Sequence, residues 1–255
     1  MRARSNLEAV LLPALTAAAL LCVWSFAVQL SGTSVFPSPR VVLLGLAELQ
    51  HRKVALPYIR DSLLRVAIGF FLAAGVAIPL GLWLGSSRTA FSAIGPLAQL
   101  LRPISPLAWI PISIVLFGIG DRAAIFLITL GAFFPILLAT TAAVQSVPEI
   151  YLRTGRNFGL SRGALFLRVV LPASLPKILL GLRVALGVAW LVVVAAEMIA
   201  IDSGLGYLII DARNAGKRYD LVVAGILLIG SLGLALDLLM RSLEKLRPVR
   251  WGFRS

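Results

Sequence analysis

The chain has 255 residues, of which 59% are hydrophobic and 14% are charged, and its mean hydropathy is +0.95. Soluble domains are typically about half apolar and about a quarter charged, so the composition excludes an ordinary soluble domain. The net charge of +13 sits in cations at the ends of apolar runs, which is typical of loops that meet anionic headgroups rather than nucleic acid. The lone Cys22 and His51 exclude a disulfide framework and a Cys/His metal cluster.

Several apolar runs reach the roughly 20 residues that a bilayer crossing needs. They predict an all-α, polytopic membrane protein with about six transmembrane helices. Arg2 and Arg4 before Leu11–Val23 are similar to the start of a signal peptide. The apolar character continues to Leu30, so we expect an uncleaved first span, with cleavage after Ala27 as the alternative. The predicted spans are 9–30, 62–86, 91–118, 123–145, 178–201 and 220–241.

The third predicted span is interrupted by proline. Pro96, Pro103, Pro106 and Pro111 each lack an N–H and clash with the preceding turn. A broken helix is tolerated in a membrane only where protein or water satisfies the freed carbonyls. We therefore expect this segment to face a bundle interior or a pathway.

The connections predict the orientation and the domain organisation. Lysine and arginine are more frequent in the segments that lie inside if both termini are cytoplasmic, which favours that orientation. A short amphipathic helix is expected over Val41–Gln50, and 202–219 reads as a polar, glycine-marked loop. The expected divisions are an N-terminal helix and periplasmic connection at 1–61, a membrane-spanning core at 62–245 with a cytoplasmic loop at 146–177, and a cytoplasmic tail at 246–255.

The loop between the fourth and fifth spans predicts two short helices. Glu149 precedes Arg153 by four residues, the favourable order for a helical ion pair, and Gly159 can end the first helix in a left-handed conformation. A second helix is expected from Ser161 until Pro172 stops it. Two short helices joined at a glycine would form a knob suited to a partner's groove, or an interfacial helix resting on headgroups.

This loop also resembles the EAA motif of ABC importer permeases, which reads E-A-A, three residues, G, nine residues, I-x-L-P. Gly159, Val169, Leu171 and Pro172 stand at that spacing, whereas Arg153-Thr154-Gly155 replaces Glu-Ala-Ala. Two further blocks resemble permeases for nitrate, sulfonate, taurine and bicarbonate: R-P-I-S-P-L-A-W-I-P with F-G-I-G at 102–111 and 117–120, and A-E-M-I with G-L-G-Y-L-I at 196–199 and 204–209. The resemblance covers about residues 60–250.

The resemblance implies a MetI-like type I ABC importer permease in a bacterial inner membrane. Such a subunit is not an enzyme: two copies pair as a homodimer, ATPase subunits bind ATP and Mg, and a periplasmic or lipid-anchored binding protein delivers the solute. This chain has no G-x-x-x-x-G-K-[ST] phosphate loop of its own. The ATPase-coupling residues implied are Arg153, Thr154, Gly155, Arg156, Asn157, Phe158, Gly159, Leu160, Val169, Leu171 and Pro172.

Three residues of the broken span are candidates for the translocation path. Arg102 would attract an anionic solute there, or its guanidinium would snorkel to the headgroups. Trp109 lines the path or packs between helices, and Ser105 is placed on the path with them.

The fifth span and the turn after it supply the other candidates. Glu197 is assigned to the path region, and we expect it to form a structural or gating ion pair with Arg213 or Arg218. Gly204 and Gly206 are expected to form a tight turn beside an outer gate, or else an ordinary flexible loop.

Other classes of membrane protein are weighed against the ABC permease. A secondary transporter of a small anion would use broken helices but normally shows internal repeats and ion-coupling carboxylates. A membrane-embedded enzyme needs a nucleophile and base, or a metal cluster, which one histidine and one cysteine do not provide. Among substrates, G-L-G-Y at 204–207 and D-A-R-N at 211–214 resemble the sulfonate and taurine branch of the family more than cyanobacterial nitrate permeases. This resemblance implies an aliphatic sulfonate or taurine, with nitrate and bicarbonate left open.

Overall fold

The computed structural model describes residues 2–32, 36–214 and 216–244. The predicted tail at 246–255 lies outside them. Over the described ranges the chain is helical and contains no strand. The helices are α1 (Arg2–Ser31), α2 (Pro39–His51), α3 (Ala55–Ser86), α4 (Arg88–Leu101), α5 (Ile110–Phe117), α6 (Asp121–Gln145), α7 (Glu149–Asn157), α8 (Arg162–Leu165), α9 (Leu171–Ala200), α10 (Leu205–Asn214) and α11 (Tyr219–Glu244).

The predicted number of membrane spans is confirmed. Five helical stretches of the described chain are long and apolar enough to cross a membrane, and a bent pair raises the number to six if it counts as one span. That pair is α4 and the segment Pro106–Phe117, which meet at 84°. Pro106 opens a 3₁₀ turn, Pro106–Trp109, and Pro111 lies in the first turn of α5. Pro106 and Pro111 therefore stand where a missing N–H costs least. Pro96, by contrast, lies inside α4 and does not end it, so the break expected there was wrong.

The chain divides into two compact units, and the larger contains 58–207 and 229–255. Its centre is the pair α6 and α9, which share the most extensive helix–helix interface of the structure. α3 also lies against α6, because Gly81 and Gly85 leave room for it. An added Cβ there would come within 2.7 Å of Thr140 Cβ and 2.6 Å of Val144 Cβ.

The smaller unit contains 1–57 and 208–228. The amphipathic helix predicted at Val41–Gln50 is present as α2, with Val42 and Leu49 buried and Leu43 exposed. The predicted loop at 202–219 is wrong in part, because α10 occupies its centre. The pattern missed α10 because glycines and charged residues flank its short apolar run, Leu208–Ile210.

An ionic cluster joins α2 to the start of α11 within this unit. Arg218 Nη2 lies 2.5 Å from Glu48 Oε2 and 2.8 Å from Asp220 Oδ2. Arg52, one turn beyond Glu48, adds a second cation to the same carboxylate. The hydrogen bond from Arg218 holds the pKa of Glu48 below its usual range, against the opposing effect of partial desolvation.

Candidate functional site

The connection between α6 and α9 folds into a compact knob, residues 149–170. Its first helix is α7, whose Glu149 and Arg153 form the predicted ion pair at 2.9 Å. Gly159, at φ 74°, ends α7 in the left-handed conformation, as predicted. Its N–H donates to Arg156 O, and Leu160 N–H donates to Gly155 O. The chain is thereby turned back toward α8.

Gly155 is the point of closest packing inside the knob. This residue is buried, and an added Cβ would lie 2.5 Å from Leu165 Cδ1 and 3.5 Å from Val169 Cγ2. A small residue here lets α7 pack directly on the helix that follows.

The outer side of the knob carries large apolar side chains. Phe158 is 82% exposed, Ile150 is 63% exposed, and Tyr151 is also exposed. These residues lie outside the candidate spans, so lipid tails do not account for their exposure. A clustered apolar surface with an aromatic side chain is typical of a protein-docking site. Arg153, Thr154 and Asn157 are exposed beside it.

The second predicted helix of the loop is not a separate element. Ser161 caps α8 by accepting from Ala164 N–H at 3.3 Å, but Pro172 does not end the helix. A π-helical turn, Phe166–Val170, runs directly into α9. Pro172 lies in the first turn of α9, where proline is tolerated. Val169, Leu171 and Pro172 therefore belong to the stem that carries the knob.

A cleft of about 810 Å³ opens between the bent third span, α6 and α9. Arg102 and Trp109 both line it, together with Lys177 of α9. Among the described residues these two cations are the only charged ones of the lining, and the remaining walls are mainly apolar. A cleft of this composition suits a small anion with an apolar part.

Arg102 also lines a neighbouring cavity of about 400 Å³. Gln99, Thr141 and Gln145 give that cavity a more polar lining. Ser105, predicted on the path, lines neither cavity: its Oγ accepts from Leu107 N–H at 3.3 Å and caps the 3₁₀ turn. Arg102 therefore stands where the two cavities adjoin.

Glu197 lies near the C-terminal end of α9, the end away from the knob. It is buried in a hydrogen-bonded cluster that we call the clasp. Its Oε1 accepts from Arg65 Nη1 at 2.7 Å and from Ser62 Oγ at 2.8 Å. Its Oε2 accepts from the backbone N–H of Gly206 at 2.9 Å. Ser62 Oγ in turn accepts from Leu205 N–H at 2.9 Å. The first N–H groups of α10 are thus satisfied by the carboxylate and the hydroxyl.

The predicted partners of Glu197 were wrong. Its cation is Arg65 of α3, whereas Arg218 pairs with Glu48 and Asp220 and Arg213 is exposed. Glu197 also lines none of the cavities described above. The available signal was the pair Ser62 and Arg65, two polar residues three apart at the charged start of an apolar run.

The clasp continues through Arg65 to two further segments. Arg65 Nε donates to Asp121 Oδ1 at 2.8 Å, at the start of α6. Its Nη1 donates to Ser203 O at 3.1 Å, and its Nη2 donates to Ser203 Oγ. One guanidinium thus ties α3 to α6, to α9 and to the turn before α10.

Gly204 and Gly206 are required by the clasp itself. Gly204 has φ 99°, and a Cβ on it would overlap the carboxylate of Glu197. A Cβ on Gly206 would overlap Val194 O and lie 2.8 Å from Glu197 Cβ. The turn is therefore closely packed on α9, rather than an open flexible loop.

The geometry defines a polytopic helical membrane protein with an exposed apolar knob before α9 and a cationic cleft between the bent span, α6 and α9. Residues 77–247 match the family described as the binding-protein-dependent transport system inner membrane component. The chain belongs to this family of ABC importer permeases, so it is a multi-pass transport subunit of an inner membrane and not an enzyme.

Named relatives agree with this family, and a solved structure has a similar fold. The nitrate import permease of Synechocystis is 36% identical, over 93% of this chain and 89% of the relative. The taurine transport permease of Escherichia coli is 36% identical, over 90% and 86%. The bicarbonate transport permease of Synechococcus elongatus is 34% identical, over 99% and 92%. An inward-facing structure of the methionine transporter MetNI has a similar fold, with a TM-score of 0.61 at 20% identity over 74% of this chain and 95% of that chain.

Proposed function

We propose that two copies of this chain form the membrane pathway of an ATP-driven importer of small oxyanions, with aliphatic sulfonates such as taurine favoured. A separate binding protein delivers the anion, and partner ATPase subunits bind ATP and Mg. Both termini and the knob lie on the cytoplasmic side. The similarity to taurine, nitrate and bicarbonate permeases supports this substrate class.

The lining of the cleft is the main support for the proposed substrate class. Its charged lining consists of Arg102 and Lys177, without a carboxylate to repel an anion. Coulomb attraction to these two cations favours an oxyanion, and the apolar walls beside Trp109 accommodate an alkyl chain. Nitrate and bicarbonate would use the cations alone, whereas a sulfonate would use both kinds of surface.

The knob is the surface that would bind the ATPase subunit. Phe158 and Ile150 would fill a groove of the ATPase, since large exposed apolar side chains dominate the affinity of such contacts. The continuous helix from the knob through α9 would then transmit displacement of the ATPase to the wall of the cleft.

Uptake by reconstituted vesicles tests the proposal. The complete transporter is loaded with its binding protein, and labelled taurine, nitrate and bicarbonate are offered with and without ATP inside the compartment that the knob faces. We expect ATP-dependent uptake of taurine above that of the other two. Uptake that needs an ion gradient and no ATP would identify a secondary transporter, and uptake of none of the three anions would refute the substrate class.

A further inference from the structure

A further cavity of the larger unit lies outside the cleft of the proposed pathway. It measures about 1190 Å³ and lies between the knob and the nearest ends of α3, α4 and α6. It shares no lining residue with the cleft, and Phe91 and Gln145 are common to it and to the cavity of about 400 Å³ that adjoins the cleft at Arg102. Ser86 and Gln145, the last residues of α3 and α6, line it. The cavity is therefore at the level where transmembrane helices end and headgroups begin.

Three arginines, Arg88, Arg156 and Arg162, line this cavity, and no carboxylate of the described residues does. Within the part of the chain that the structure describes, none of the three makes an ion pair. Arg153, in the same segment as Arg156, is by contrast paired with Glu149. Three guanidinium groups around one space repel each other, so an anion placed among them would be stabilised by all three.

The donor chemistry points to phosphate. The planar guanidinium matches a phosphate group with two parallel N–H···O bonds. The other walls include Phe91, Leu152 and Phe166, which suit the glycerol and upper acyl region of a lipid. We propose that this cavity binds a phosphate group through Arg88, Arg156 and Arg162, carried by a phospholipid headgroup or by free phosphate.

Binding here would leave the docking surface of the knob free. Leu152 and Arg156, four residues apart, lie on the side of α7 that lines the cavity. Ile150 and Phe158 lie on the other side and are strongly exposed. A bound phosphate would join the knob to the ends of α3 and α4 while a partner occupies the outer face. The ligand would thus stiffen the segment on which the partner acts.

Native mass spectrometry of the full-length chain tests the proposal without any partner. The probes are phosphatidylglycerol, the matching diacylglycerol that lacks the phosphate, and inorganic phosphate. We expect phosphatidylglycerol to be retained in preference to diacylglycerol. Each of R88Q, R156Q and R162Q should weaken its binding about fivefold, from about 1 kcal/mol for each cation at an anionic surface. R153Q, whose arginine is already paired, should leave the affinity unchanged.

The comparison of the probes distinguishes a phospholipid headgroup from free phosphate. One outcome is that millimolar inorganic phosphate competes for the site while phosphatidylglycerol is retained no better than diacylglycerol. This outcome would support the site and assign it to free phosphate. Equal retention of both lipids without any effect of inorganic phosphate would overturn the proposal. That comparison uses the unaltered chain, so it holds even if a variant folds poorly. Unchanged affinity in the triple arginine variant would also overturn it.

Discussion

Arg65 Nη1 and Glu197 Oε1 lie 2.7 Å apart, and the two side chains are only 6% and 0% exposed. α3 and α9 are thus joined across 132 residues of sequence by a fully desolvated ion pair. Arg65 also pairs with Asp121, so removal of Glu197 takes away the buried partner of Arg65 and leaves its more exposed one.

The clasp therefore predicts a large loss of stability in E197Q. The amide cannot accept from Arg65, Ser62 and Gly206 as a carboxylate does. Because Arg65 keeps its contact with Asp121, we expect the loss to be that of charge-assisted hydrogen bonds, a fall of about 1.5–3 kcal/mol in the free energy of unfolding. Thermal or denaturant unfolding of the purified chain measures it. E149Q, which removes an exposed helical pair, should cost less than about 0.5 kcal/mol. Equal effects of the two variants would contradict the role of the clasp.

Gly206→Ala should destabilise the turn before α10. The new Cβ would overlap Val194 O, and overpacking of this kind typically costs about 1–3 kcal/mol. Gly187→Ala in α9 is the matched control, because a Cβ there meets nothing within 4 Å. We expect the control to be neutral or to raise stability by about 0.4–1 kcal/mol. If both substitutions shifted the unfolding midpoint in the same direction, this packing would be refuted.

Phe158→Ala should release the partner ATPase from the knob. A hot-spot aromatic is worth about 2 kcal/mol or more, which corresponds to about a thirtyfold loss of affinity. Co-purification from membranes and the rate of ATP-driven uptake measure the effect. Phe71→Ala is the control, since Phe71 is 70% exposed but lies in the span α3, where lipid covers it. Retention of the ATPase by Phe158→Ala would place docking elsewhere.

Arg102→Gln should reduce anion uptake by about tenfold or more, because a cation that lines a partly desolvated cleft is replaced by a neutral group. Arg102→Lys keeps the charge and should retain part of the rate. Initial uptake rates in reconstituted vesicles provide the measurement. Arg60→Gln, which alters an exposed arginine that lines neither cavity, should transport as the unaltered chain does. Wild-type uptake by Arg102→Gln would show that the guanidinium lies off the path.

The cluster around Glu48 predicts a pH dependence of stability. Arg218 lowers the pKa of Glu48 in the folded chain, so the ionised carboxylate stabilises the fold at any pH above its unfolded value of about 4.3. That contribution is lost as pH falls through the lower, folded pKa. The difference in unfolding midpoint between the wild-type chain and E48Q should therefore be constant near neutral pH and shrink below about pH 4. A difference that grew on acidification would contradict the pairing.

The elements that sequence predicts well here are the ones that local physics determines. Long apolar runs define the spans, and the prolines of the third span place its break within a few residues of the observed 84° bend. Glu149 with Arg153 and the turn at Gly159 are set by neighbours within one helical turn. Arg102 and Trp109 are found in one cleft because the broken span has to be lined by protein or water.

The features that sequence missed depend on long-range packing. Arg65 reaches Glu197 only because α6 holds α3 and α9 side by side, and no local pattern distinguishes Arg65 from Arg213 or Arg218 as the partner. The stop expected at Pro172 was wrong because a π-helical turn precedes it and lets the helix continue. A proline that follows a π-helical turn stands at the start of a new α-helical stretch and does not end the helix. A proline in the middle of an uninterrupted α-helix would break or kink it.

The continuity of the helix from Arg162 to Ile199 has a mechanical consequence. Its 38 residues measure about 57 Å at 1.5 Å each, with the knob at one end and Glu197 near the other. Tilting such a rod by about 5° displaces its ends by about 5 Å relative to each other, which is nearly the rise of one helical turn. A push on one face of the bilayer would therefore strain the Arg65 contact on the opposite face, without any intermediate chain of side-chain rearrangements.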